Sequence, residues 1–93
     1  SVEELPEGWE IGNSYPNPAS ENAILNITIP HEEHLIISLH DLSGKIIDTI
    51  AEKSFTTGES HIEVNTSSLS SGRYVLRISG SGVSAAREIV VVR

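Results

Sequence analysis

The 93-residue chain has no cysteine and no methionine, and its aromatic residues number only four: Trp9, Tyr15, Phe55 and Tyr74. Without thiols there is no disulfide framework, thiolate nucleophile, cysteine-ligated zinc or iron–sulfur cluster, so the fold must hold by burial and hydrogen bonding. With no methionine to start a reading frame, the chain is expected to be a piece of a longer protein. Positive charge is also scarce: 6 Lys and Arg stand against 13 Asp and Glu, a formal net charge of −7. Nucleic acid and anionic membranes would repel such a surface, and no Lys/Arg stripe interleaved with aromatics offsets the balance. Long apolar runs are missing as well. The longest, Ile89 to Val92, falls far short of the roughly 20 residues a membrane-spanning helix needs. The N-terminus carries no secretory signal pattern. What remains is a soluble acidic module with room for one domain, since domains usually hold about 50–250 residues.

Isoleucine and valine total 19, against 7 leucines and 5 alanines. β-Branched side chains lose rotamer freedom in a helix and fit a pleated surface, so the ratio favours strands. Serine, threonine and asparagine favour turns and strand ends. Ser1 to Glu10 reads as a linker and short lead-in, with Trp9-Glu10-Ile11 available as a first strand and residues 11–93 as the domain. Tyr15-Pro16-Asn17-Pro18 must be extended or turning, because each proline fixes φ and biases its predecessor away from the helical region. Asn22 to Ile29 alternates, with Ala23, Leu25, Ile27 and Ile29 on one face. His34 to Leu42 alternates again, with Leu35, Ile37 and Leu39 inward. Asp41 to Lys45 is a hairpin connection, with Gly44 where positive φ is needed. Lys45 to Glu52 returns with Ile46, Ile47 and Ile50. Ser60 to Asn65 buries Ile62 and Val64, Arg73 to Ser79 buries Tyr74, Leu76 and Ile78, and Ala85 to Arg93 is the last strand. Six or seven short strands with turn signals about every ten residues describe an all-β antiparallel sandwich.

Candidate chemistry is thin. His31-Glu32-Glu33-His34 has its histidines three apart beside Pro30, whereas a zinc-protease motif needs them four apart on a helix. No metal is expected. Gly80-Ser81-Gly82-Val83-Ser84-Ala85 meets the loose dinucleotide pattern, but Arg87 to Val92 is a β sequence where a helix should open. No nucleotide or other cofactor is expected. No nucleophile elbow accompanies His40-Asp41, and Asp41 and Asp48 are too isolated for a carboxylate pair. Asn26-Ile27-Thr28 and Asn65-Thr66-Ser67 fit the N-glycosylation pattern, which recurs by chance. Tyr74 and Tyr15 read as packing residues rather than a sugar platform, and Trp9 reads as capping the core edge. No catalytic residue is assigned.

Three motifs in order carry a more specific signal. Tyr15-Pro16-Asn17-Pro18-Ala19-Ser20 opens the domain. Leu39-His40-Asp41-Leu42-Ser43-Gly44-Lys45 lies in its middle. Leu69-Ser70-Ser71-Gly72-Arg73-Tyr74-Val75-Leu76-Arg77-Ile78 follows, and an apolar strand with a basic tip ends the chain. Over about residues 12–93 this resembles the type A C-terminal sorting domain of the type IX (Por) secretion system. His40 is a departure, because an aromatic often precedes that aspartate in the family.

The resemblance implies an immunoglobulin-like sandwich of about seven strands, carried behind a cargo domain. It implies passage through the periplasm and an outer-membrane translocon to the cell surface or medium, served by shuttle components. It also implies removal by a sortase-like peptidase, with attachment of the cargo. Cleavage would fall at or upstream of Ser1 to Glu10. Recognition would rest on Ile89, Val90, Val91, Val92 and Arg93 together with the Leu69–Ile78 segment, Gly72 and Tyr74 included. The residues Tyr15, Pro16, Asn17, Pro18, Asp41, Gly44 and Lys45 carry the family motif. A last strand with an exposed edge could be extended by a partner's strand. Arg87 and Arg93 would share one face of it, near Arg77. The other readings are a carbohydrate-binding or Ig-like accessory domain of a secreted enzyme, and a spacer. A sorting domain must end its protein, whereas the others need not.

Overall fold

Alternating apolar residues generate seven strands in the computed structural model, which describes residues 5–93; the Ser1–Glu4 part of the expected linker lies outside the described residues. The strands are β1 (Glu10–Ile11), β2 (Asn22–Ile29), β3 (Glu33–Asp41), β4 (Ile46–Phe55), β5 (Gly58–Asn65), β6 (Gly72–Gly80) and β7 (Val83–Val91). They form a three-stranded sheet in the order β1-β2-β5 and a four-stranded sheet in the order β4-β3-β6-β7. Strand neighbours within both sheets are antiparallel. Among the described residues there is no helix.

The core lies between the sheets. Leu25, Ile27 and Ile29 of β2 and Val64 of β5 come from one side, and Leu35, Ile37, Leu39, Leu76, Ile78, Ile89 and Val91 from the other, all essentially inaccessible. Burying a side chain of this kind stabilises by roughly 1.5–3 kcal/mol, which is how a chain without cross-links holds together. Trp9, 7% exposed, closes one end of this core.

The β4 segment departs from the sequence expectation. It runs on to Phe55 rather than ending at Glu52, and Ile46 and Ile47 are 59% and 39% exposed, with only Ile50 packed partly against the core. Register shifts between Ile37 and Ser38, and again between Leu39 and His40, leave Ile50 and Ile47 as extra residues on the β4 side. Each such bulge breaks the period-2 alternation, and on this edge strand Ile46 and Ile47 end up exposed while Ile50 keeps a partial contact with the core. Smaller differences concern ends: β5 opens at Gly58 and β7 at Val83, because the preceding turns need only Thr56-Thr57 and Ser81-Gly82.

Candidate recognition site at the last strand

β7 is an edge strand by sheet order, yet its outer edge is occupied. The chain leaves β1 along β2, with Gly12 and Tyr15 donating their N–H groups to the Asn26 and Ile24 carbonyls at 3.0 Å each. It then crosses to the other sheet. The Ser14 hydroxyl donates to the Glu88 carbonyl at 2.9 Å, and the Asn17 amide does so at 3.4 Å. The Val90 N–H donates to Asn17 Oδ1 at 2.8 Å. Ala19 completes the lacing in parallel register with Val91: its N–H reaches the Val90 carbonyl at 2.7 Å, and its carbonyl accepts the Val92 N–H at 2.9 Å. The outward groups from the Glu88 carbonyl to the Val92 N–H are therefore paired within the domain. The expected exposed edge at the last strand is corrected accordingly. Pro16 and Pro18 offer no N–H of their own, and the Asn17 side chain between them supplies the donor and acceptor that a strand would otherwise provide.

The arginines of this region act as braces. Arg87 donates from Nη2 to the Ile11 carbonyl at 2.9 Å and from Nε to the Gly12 carbonyl at 3.1 Å, tying β7 to the end of β1. Arg93 donates from Nε to the Leu69 carbonyl at 2.5 Å and from Nη2 to the Thr66 carbonyl, while its backbone N–H reaches the Ser71 hydroxyl at 3.0 Å. Arg87 has the inward-facing parity of β7, but the strand ends at Val91 rather than at the expected Arg93, and the two arginines meet different segments, Arg87 the end of β1 and Arg93 the 66–71 loop. Arg77 sits beside Ser38 and Ala86 on the outward parity and belongs to the other face.

The remaining motif residues converge on the same end of the four-stranded sheet. Register places Asp41, Tyr74 and Ile89 in one row across β3, β6 and β7, and Gly72 beside Val91 in the row beyond. Tyr74 points inward, half-buried against the core, and its hydroxyl donates to the Ser70 carbonyl at 2.7 Å. This fixes the loop that Arg93 also grips. Gly72 opens β6 at φ +157°. Asp41 accepts hydrogen bonds from the Ser43 hydroxyl at 2.6 Å, the Ser43 N–H at 2.9 Å and the Lys45 N–H at 3.0 Å, closing the β3–β4 hairpin. Gly44, at φ +92°, supplies the left-handed residue that this turn requires. The Ser43 hydroxyl, followed by the Lys45 N–H, lowers the Asp41 carboxyl below its ordinary range. His40 is buried on the outward side of β3, with Nε2 2.8 Å from the Ser38 hydroxyl and Nδ1 3.2 Å from the Gly44 carbonyl. An imidazole thus braces the hairpin where the family often has an aromatic.

Of Ile89 to Val92, Ile89 and Val91 are buried, Val90 is half-buried and Val92 is exposed. Ser14 went unremarked in the sequence and only its nearness to Tyr15-Pro16 could have flagged it, while Ser71 stands inside the third motif and Thr66 inside the glycosylation pattern with nothing in either to indicate the contact with Arg93. Tyr15 corrects the expectation of a packing residue. It is 46% exposed, with its hydroxyl accepting from Asn26 Nδ2 at 3.2 Å, and it is the one exposed aromatic of the four. Trp9 is buried, so no aromatic platform for a sugar ring is formed. Among the described residues no group of three or more His, Cys, Asp or Glu is placed to hold a metal ion.

Comparison with known proteins agrees with this arrangement. No curated protein and no solved structure matches the chain. A family model, that of the secretion system C-terminal sorting domain, matches residues 13–92, which span all three motifs and the last strand. The chain belongs to that family and is a C-terminal sorting signal of the type IX secretion system.

Proposed function

We propose that the type IX machinery recognises a composite element made of the last strand and the Leu69–Tyr74 segment. The observation that carries this reading is the Arg93 clasp. Through the Thr66 and Leu69 carbonyls and the Ser71 hydroxyl, it joins the end of β7 to the loop before β6. Two segments far apart in sequence thereby present one surface, with Val90, Val92 and Arg93 beside Gly72 and Arg73. The family is one of non-catalytic sorting signals, and its cargo proteins are secreted or displayed at the cell surface.

The finer steps extend this reading. A cargo domain precedes residues 1–10, which act as the linker to the sorting domain proper, residues 11–93. The cargo waits in the periplasm, is delivered through the outer-membrane translocon with its shuttle, and is freed by a sortase-like peptidase cutting at or before the linker. Attachment of the cargo to the surface follows that cut. Ala19 and Arg87 hold the linker-proximal end of the domain against β7, and Trp9 and Leu5 pack on the core, so cleavage before Leu5 would leave the sandwich whole.

The test is export of a periplasmically targeted fluorescent protein carrying residues 1–93, in a bacterium with a working type IX system. The intact fusion should reach the surface or medium. A fusion lacking Val90 to Arg93 should remain in the periplasm, and Arg93→Ala should fall between them while keeping its fold. A folded intact fusion that stays in the periplasm would contradict the reading.

A further inference from the structure

The Pro16-Asn17-Pro18 segment carries a motif whose part in sorting the family assignment leaves open, and its geometry is unusual. It is not itself a strand, yet it performs a strand's work on β7. Between two residues that have no N–H, the Asn17 carboxamide faces the edge of β7 as a peptide group would. Nδ2 donates to the Glu88 carbonyl and Oδ1 accepts from the Val90 N–H, 3.4 and 2.8 Å away. Ser14, at 3% exposure, adds a second donor to the same carbonyl, and Ala19 takes over one residue further along with both of its backbone groups. An edge strand left open is free to slip in register or to pair with another chain. Here the outward groups of residues 88–92 are fixed in one register by a segment that lies near the N-terminal end of the domain.

Resting on the reading of β7 as part of the recognised element, we infer that Asn17 is a positioning residue for sorting. Its carboxamide holds the last strand in the register and closed-edge form that the machinery reads. The recognised features are then the outward face and tip of β7, and strand addition along its 88–92 edge is blocked. Other asparagines of the chain do not share this role. Asn26 lies on the opposite sheet against Tyr15 and His61, and Asn65 caps its own turn through Ser67.

The experiment compares the export fusion in four forms: wild type, Asn17→Ala, Asn17→Asp and Ile62→Val. Amide hydrogen exchange is measured on the same purified domains. Ile62→Val, a change in the core beneath the far edge, controls for loss of stability. In Asn17→Ala the Val90 amide should exchange at least tenfold faster while the amides of Ile37 and Leu76 keep their protection, and export should fall at least fivefold. Asn17→Asp keeps the acceptor for Val90 and loses the donor to Glu88, so it should lie between wild type and Asn17→Ala in both readouts. It also keeps the test decisive if the alanine variant does not fold. Ile62→Val should export as wild type does. Faster Val90 exchange with unchanged export would make the strap merely structural and overturn the inference. So would unchanged Val90 exchange, or an equal export loss in Ile62→Val at the same melting temperature. A folded wild-type fusion that is not exported would instead overturn the sorting reading on which the inference rests.

Discussion

The flank formed by β1 and β7 is laced shut, whereas on the opposite flank, formed by β4 and β5, the outer edges find no strand partner among the described residues. On the first, Asn17 and Ala19 fill the backbone positions that a further strand would take beside β7, and Arg87 ties β7 to the end of β1. On the second, protection comes from irregularity and charge. β4 is bulged twice against β3 and carries Asp48, Glu52 and Lys53, while β5 turns Glu59 and Glu63 outward. Bulges and charges discourage edge-to-edge pairing without holding the strand in one place. The contrast teaches where definition is concentrated: the strand that bears the sorting reading has its edge fixed by partners within the domain, whereas the β4 and β5 edges carry bulges and charges instead.

Four changes would break or sharpen that contrast. Ile89→Ala removes a fully buried side chain from β7 and should cost about 2–5 kcal/mol, read as a lower urea midpoint. Arg93→Ala loses guanidinium bonds to two carbonyls. It should cost about 1–2 kcal/mol and raise proteolysis of the 66–71 loop. Asp41 gives a smaller, pH-dependent effect. Its pKa is lowered in the folded state, by the Ser43 hydroxyl above all. The stability it adds is therefore complete above the unfolded-state value near 3.8 and disappears as pH falls through the lower folded-state value. Asp41→Ala should accordingly lose stability at pH 7 and less of it in strong acid, with urea midpoints at the two pH values as the check. Ile47→Ala, on the open flank, should change stability by no more than about 0.5 kcal/mol. If Ile47→Ala proved as damaging as Ile89→Ala, the distinction between the flanks would collapse.

The sandwich itself was legible because β2, β3, β5 and β6 keep strict alternation: Ala23 to Ile29, Leu35 to Leu39, Ile62 with Val64, and Leu76 with Ile78 all face inward as patterned. β4 was misread for a physical reason. Its isoleucines look like core, but bulges are not written in hydrophobicity, and they carry Ile46 and Ile47 to the surface. The motifs marked the right neighbourhood without giving its mechanism. Pro16-Asn17-Pro18 announced an extended segment, yet only three-dimensional placement shows that it docks on residues about 70 positions later. Arg87 and Arg93, expected only to share one face of the last strand, donate to backbone carbonyls within the domain. Such bonds depend on where loops pass, which local sequence does not specify.

The central claim is that the outer edge of β7 is closed, and site-resolved amide exchange on the isolated 93-residue domain addresses it most directly. Val90 and Val92 donate to Asn17 and Ala19, so their amides should exchange slowly, at rates near those of β6. The amides that point outward from β4 and β5 should exchange far faster. Fast exchange at Val90 and Val92, matching the open flank, would contradict the account.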